Sequence, residues 1–501
     1  MIHQRPSAGP QDISQLATSL SQEFTPKSEA ERADIEVAVC RLAERVLDSE
    51  RLLAADPVAT IKAALADIDS RLHTQLNAIL HHDTFRAVES AWRGLHHLVN
   101  HCETDEMVQV RVMSVSKQEL AKTLKDGALQ DKIYDGGLGK PGGEPFGCLV
   151  GDYYFDHSEA DVTLLEKLAK LAKLVHAPFI AGASPALAGV ASWRALAGAA
   201  DLTPPEAEPN RAAWEAFRAT EEAKYVALVM PRFLARLPYS SLSEPGLTGL
   251  MRFDEEYVAR RPTRHTEATE TFLAEPLTVD TRPGALGLWC NAAYALAANI
   301  GRSFEQFGWC TTLRDAEAGG FATVMPPPIF TKSEAFERSI SLELALSPRR
   351  EAELTEAGLI PLVHRQHTDM ATFGAAQSVH RSQQRAATTT AMRLAASLPY
   401  VLVSCRFAHY MHCIARDAPN AWRDRNQLER HLTDWAQNYV LDSVQGADEI
   451  LQAQKPLLRA EVAVKDPDAS GRYPCLVTLR PYYRLESTVV TMKLNLTLCA
   501  L

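Results

Sequence analysis

From Thr488 to Leu498 the chain reads TVVTMKLNLTL, and Val490, Met492, Leu494, Leu496 and Leu498 fall on one side of any extended backbone drawn through it. Side chains alternate across a strand, so an apolar residue at every second position specifies a strand with one buried face. At the end of the sequence such a strand is an available pairing element. It is expected either to close the chain's own sheet or to reach into a neighbour's.

Upstream, the period changes several times. Residues 1–30 are polar and carry Pro6, Pro10 and Pro26, which suits a flexible arm ordered only by a partner. Helical spacing follows at Ile35–Leu53 and Val58–Leu80, as in Ile61, Leu65, Ile68, Leu72 and Leu76. It continues in FRAVESAWRGLHHLV, where Phe85, Val88, Trp92, Leu95 and Leu98 form a bulky stripe for packing. A strand is expected at Val108–Val115, and Ser116 with Glu119 gives a capping box for the next helix.

Short apolar strands near Phe146, Phe179 and Tyr225 then alternate with helices near Ala160–His176 and Arg211–Thr220. Continuous apolar strands separated by amphipathic helices argue for an α/β sheet covered on both faces. Ser240–Pro283 reads as a polar insertion, Ala285–Phe304 as a helix, and GWCTTL at Gly308–Leu313 as a short strand. Further on come a strand at Leu359–Val363, helices near Thr388–Ala415 and Asn426–Val440, and three strands after Pro456 with a turn around Asp466, Pro467 and Gly471.

Length and composition narrow the function classes. A chain of 501 residues, 46% of them hydrophobic, supports two or three domains. A formal charge of −10 argues against a broad nucleic-acid footprint, and RPTRH at Arg261–His265 is too local to supply one. No apolar run approaches the roughly 20 residues that span a bilayer. The opening MIHQRPSAGPQDIS lacks the apolar core of a secretory signal, so cytoplasmic residence without membrane insertion is expected. Nine cysteines with no CxxC spacing read as reduced, mostly buried thiols.

The densest polar cluster, GDYYFDHS, sets Asp152, Asp156, His157 and Glu159 after an apolar strand, where a metal-dependent hydrolase could be centred on Asp152, Asp156 and His157. The same residues also suit a helix N-terminus, which favours acidic side chains, and capping is the preferred reading. DGGLGKPGG at Asp135–Gly143 lacks the order of a phosphate-binding loop, because Pro141 follows Lys140 where an amide and a hydroxyl are needed. His81, His82, His96 and His97 show no HExxH pattern, no GxSxG elbow occurs, and none of Cys148, Cys310 or Cys405 has an evident histidine partner. Arg406 and His409, one turn apart, suit a solvated face or an intersubunit polar network. No catalytic, cofactor or metal site is assigned.

Several unusual segments occur in an order that resembles the large subunit of the type VI secretion contractile sheath, the TssC/VipB/ImpC family. They are LNAILHHDTFRAVESAWRGLHHLV at Leu76–Val99, PFGCLVGDYYFDHS at Pro145–Ser158, HAPFIAGASP at His176–Pro185, PRFLARLPY at Pro231–Tyr239, GWC at Gly308–Cys310 and SCRFAHY at Ser404–Tyr410. GWCTTLRDAEAGG at Gly308–Gly320 departs from a more glycine-rich family stretch. The resemblance implies a multidomain contractile-sheath protein with an N-terminal helical region (31–100) for partner association, a central α/β sheath body (101–455) and C-terminal linker strands (456–501). It implies a structural role without cofactors. The partners it implies are a small sheath subunit (TssB/VipA-like), neighbouring sheath heterodimers, an inner tube protein, a baseplate and an AAA+ recycling ATPase. It also turns Val490, Met492, Leu494, Leu496 and Leu498 into an intersubunit strand. A non-contractile binding scaffold is the remaining alternative.

Overall fold

The computed structural model describes residues 29, 37, 57–102, 104, 107–193, 195–198, 210–236, 239, 253, 255, 287–311, 313, 321–323, 329–332, 335–338, 341–365, 370–381, 394–417, 424–441, 449–469, 471–481 and 491–498. The arm, nearly all of Ile35–Leu53, nearly all of Ser240–Pro283 and Val490 lie outside them.

The chain divides into two compact units, one of residues 1–86 with 238–256 and one of residues 87–237 with 257–501. In the smaller unit, helix α1 (Pro57–Leu80) forms where the periodicity places it. Its stripe is uncovered, however, with Ile68, Leu72, Leu76 and Ile79 exposed. Glu255 is buried in this unit, 3.3 Å from His81 Nε2, and it accepts the Tyr239 amide at 2.9 Å.

The larger unit is organised around a six-stranded sheet in the order β1-β2-β3-β9-β10-β6. Strands β1 (Leu149–Phe155), β2 (Phe179–Ala183), β3 (Val226–Met230) and β9 (Leu359–His364) run parallel, and β10 (Met370–Phe373) and β6 (Phe321–Thr323) complete the sheet antiparallel. Successive residues of β3 serve different cores. Val226, Leu228 and Met230 pack with helix α5 (Glu159–Leu174), while Ala227 and Val229 pack with helix α7 (Ala292–Phe307). A strand buried on both faces needs no polar alternation, which is why these segments read as continuous apolar runs.

Local chemistry sets the helix boundaries. Ser116 and Glu119 close the expected capping box at α3 (Lys117–Lys125), Ser158 accepts the Asp161 amide at the start of α5, and Asn291 accepts the Ala293 amide at the start of α7. Residues 288–290 are a strand, β5 (Leu288–Cys290), rather than the helix expected from 285, because they pair with β4 (Phe233–Arg236) and Asn291 delays the helix. Helix α7 ends at Gly308, whose φ of 76° suits glycine, and the Trp309 carbonyl then accepts the Ser303 hydroxyl at 3.1 Å. No ladder forms at Gly308–Thr311, so the strand expected there is absent among the described residues. Residues 108–115 likewise join no ladder among the described residues. Their inward valines, Val108 and Val110, lean on Leu98, Cys102 and Ala297 instead of joining a sheet.

Helix α9 (Leu398–Asp417) crosses from one core to another. Leu398 and Leu402 pack on the parallel sheet with α7, and Tyr400, Val403, Phe407, Met411 and Ala415 pack on the C-terminal sheet. That second sheet is an antiparallel meander, β11 (Leu457–Val464), β12 (Tyr473–Pro481) and β13 (Met492–Leu498), covered on one face by α9 and α10 (Arg425–Gln437). The β11–β12 turn falls where Asp466, Pro467 and Gly471 place it, with Gly471 at φ 75°. Among the described residues no helix is long and apolar enough to cross a membrane.

Candidate functional site

Two surfaces and one polar cluster carry the residues singled out from the sequence. In the terminal strand, Leu498, Leu496 and Leu494 stand opposite Tyr473, Cys475 and Val477 of β12. Leu496 and Leu498 are buried among Phe407, Met411 and Leu432, and Leu494 packs half-buried beside them. The face expected to meet a partner therefore rests on the chain's own helices. Met492 pairs with Leu479 through its backbone; its side chain and Val490 lie outside the described residues. Lys493, Asn495 and Thr497 are exposed on the opposite face. β13 is also the last strand in the sheet order, so any pairing with another chain would use its outer edge.

The second surface is helix α2 (Asp83–Asn100). Periodicity correctly gives one apolar side, yet part of it faces water: Val88 is 51% and Trp92 66% exposed. The opposite side is bolted down. Glu89 receives two hydrogen bonds from Arg236, at 2.6 and 3.0 Å, and one from Arg93 at 2.8 Å. Burial alone would raise the Glu89 carboxyl, but the two guanidiniums outweigh it and hold the group below the usual carboxylate range. Ser90 donates to the Trp289 carbonyl at 2.8 Å. A Cβ at Gly94 would sit 2.3 Å from the Tyr294 ring, so only glycine lets α2 approach α7 this closely. The pairings of Glu89 with Arg236 and of Ser90 with Trp289 were not legible in advance, since the partners are 147 and 199 residues apart.

In the polar cluster, Asp152 and Asp156 face different partners. Asp152 accepts from Asn291 Nδ2 at 3.3 Å and from the Tyr294 hydroxyl, and burial pushes its carboxyl above the ordinary range. Asp156 accepts the Ser158 amide at 2.8 Å, and its own amide donates to Asp161, which Lys117 meets at 2.7 Å. Burial would raise Asp156 as well, but the Ser158 hydrogen bonds and Lys117 leave it lowered. This is the hydrogen bonding of a helix N-terminus, the preferred sequence reading. Among the described residues no group of three or more His, Cys, Asp or Glu is placed to hold a metal ion.

The remaining motifs serve local structure. Arg416 grips the glycine-rich loop through the carbonyls of Gly137, at 2.7 Å, and Gly143, at 3.0 Å, while Asp417 accepts the Gly142 amide. His82 Nδ1 accepts the Thr84 amide, His96 bonds Asn100, and His97 stacks on His101 at 4.0 Å. Cys102, Cys148, Cys290, Cys310, Cys405, Cys413 and Cys475 are free thiols.

Among the described residues the motifs thus fall in packed cores, on a terminal strand of the meander and on a helix whose Val88 and Trp92 are exposed. Comparison with known proteins gives the chain a family. The model described as EvpB/VC_A0108, tail sheath N-terminal domain, matches residues 62–380. The model described as EvpB/VC_A0108, tail sheath gpW/gp25-like domain, matches residues 387–498, so the parallel sheet lies in the first segment and the C-terminal meander in the second. The type VI secretion system sheath protein TssC1 of Pseudomonas aeruginosa is 41% identical over 496 residues, covering 97% of this chain and 95% of that protein. With both domains matched in order along nearly its whole length, the chain belongs to the EvpB/VC_A0108 tail-sheath family.

Proposed function

We propose that the chain is the structural large subunit of a type VI secretion contractile sheath in the cytoplasm, pairing with a small sheath subunit and polymerising around an inner tube. Contraction of the polymer drives the tube outward, so the work is mechanical and no active site is needed. The observation that carries this reading is the ordered match of both tail-sheath domains together with 41% identity to a sheath protein. Neighbouring heterodimers, a baseplate and an AAA+ ATPase that recycles the contracted form complete the proposed partner set.

The zones divide the labour in this reading. The helical region, residues 31–100, takes the small subunit, and the exposed Val88 and Trp92 side of α2 supports that role. The body, residues 101–455, forms the wall. The strands of residues 456–501 link subunits, the outer edge of β13 pairing with a strand of a neighbour through main-chain hydrogen bonds. Side-chain contacts between subunits then rearrange on contraction while the shared sheet holds.

Electron microscopy after co-expression with the small subunit tests this. Tubes of extended and contracted form are expected. Heterodimers that never polymerise would instead indicate a non-contractile scaffold, and metal-dependent hydrolysis abolished by Asp152→Ala would restore the enzyme reading.

A further inference from the structure

Arg406 has a setting unlike that of the other partly buried arginines. Its guanidinium carbon lies 4.8 Å from the ring centroid of Phe304, on α7, and 4.7 Å from that of Tyr410, one turn further along α9. Contact with two aromatic rings fixes the guanidinium by cation–π attraction and stacking, and it uses none of the five N–H donors. Nε is buried with no acceptor, and among the described residues no oxygen accepts from the rest of the group.

The contrast with its neighbours is chemical. Arg218 donates to the carbonyls of Val379 and Glu356, Arg232 holds Glu343 by two bonds, Arg236 holds Glu89, and Arg416 holds Asp417 and the glycine-rich loop. Cys310, Cys413 and His409 feel the charge of Arg406. Burial pushes the Cys310 thiol up to about 12, raises that of Cys413 and takes His409 down to about 3, so all three are neutral at neutral pH and none compensates the cation. A half-buried guanidinium held by two rings, with no acceptor and no carboxylate among the described residues, suits a planar anion.

We propose that Arg406 receives a carboxylate from a second copy of this chain when subunits assemble. The guanidinium fork matches an Asp or Glu side chain through two parallel hydrogen bonds. A second copy offers such groups in excess, since the chain has 62 Asp and Glu against 52 Lys and Arg. The inference rests on the sheath reading, in which copies of the chain are packed side by side.

Full-length chain co-expressed with the small subunit provides the test, using Arg406→Gln and Arg406→Lys. For Arg406→Gln, tube yield is expected to fall at least tenfold while heterodimer yield and melting temperature stay at wild-type values. For Arg406→Lys, tubes grown from mixed isotopically light and heavy copies and treated with a zero-length carbodiimide are expected to give a light–heavy peptide. That peptide would join position 406 to an Asp or Glu of the other copy, and unassembled heterodimers would not yield it. Wild-type tube yield from Arg406→Gln overturns the proposal, as does a position-406 link that is absent, lies within one copy or leads to the small subunit. If Arg406→Gln does not fold, the cross-link decides alone. A wild-type chain that forms no tubes removes the sheath reading and this inference with it, whereas intact tubes from Arg406→Gln remove only the inference.

Discussion

Leu228 in β3 and Leu498 in β13 are both fully buried, but their strands live in different surroundings. β3 is flanked by β2 and β9 and covered above and below by helices, so it has no face or edge left for another molecule. Among the described residues β13 has a neighbour on one side, helices under one face, and Lys493, Asn495 and Thr497 in water on the other. Equal burial of a side chain therefore does not mean equal closure of the backbone. Among the described residues both sheets end in edge strands, β1 and β6 in one, β11 and β13 in the other, so the contrast is between a central strand and an edge strand.

Removing residues 485–501 should break this contrast most severely. Sheath tubes are expected to disappear from electron micrographs, while limited proteolysis still recovers a protected fragment holding β1 to β3 and β9. Loss of that fragment would mean the two sheets are not separable.

Next in size are the cores and the α2 clamp. Leu228→Ala and Leu498→Ala should each cost about 2–5 kcal/mol by urea unfolding, because both leave a cavity. A cost for Leu498→Ala under about 1 kcal/mol would contradict its inward position. Glu89→Ala takes two charge-assisted hydrogen bonds from the buried Arg236 guanidinium, and a loss of about 3 kcal/mol is expected from the same measurement.

Acid should act more gradually. Burial lowers His97, His409 and His412 to about 3 and His176 to about 4, against an ordinary value of 6.5. Between these values the unfolded chain binds protons that the folded chain refuses, so stability is full above pH 6.5 and declines as the pH falls toward 4. Three of the four lie together, His176 being 6.2 Å from His409 and 5.7 Å from His412 between ring centroids. Urea midpoints across that range should fall with pH, and His412→Gln should flatten the slope. An unchanged slope would show that the group titrates alike in both states.

The smallest stability effects belong to the open surfaces. Lys493→Ala and Trp92→Ser should each stay within about 0.5 kcal/mol of wild type. Trp92→Ser should nonetheless reduce co-purification of the small subunit at least tenfold. Undiminished recovery would take α2 out of that interface.

What was legible in the sequence follows the same division. Continuous apolar runs at Phe179–Ala183 and Val226–Met230 announced strands buried on both faces, and Ser116 with Glu119 marked a helix start to the residue. Alternation in Leu494, Leu496 and Leu498 specified a one-sided strand, but periodicity names a face without naming its cover, and here the cover is α9 and α10. The same limit left the exposure of Trp92 unseen. Val108–Val115 alternates as a strand should, yet a ladder requires a second backbone, which no local pattern reports. Glu89–Arg236 and the contact of Arg406 with Phe304 join residues far apart in sequence, so only Tyr410, four positions from Arg406, was within reach of reasoning from spacing.

Helix α9 gives the molecule a load path. Its first turns are embedded against the parallel sheet and its later turns against the meander, and close-packed interiors deform little. Tension applied along β13 is met first by the β12 ladder in shear, where the register pairs from Leu479–Met492 to Tyr473–Leu498 resist together instead of opening one at a time. From there it reaches the parallel sheet through α9, a helix about 30 Å long. A pull on β13 is thus passed by α9 to the parallel sheet.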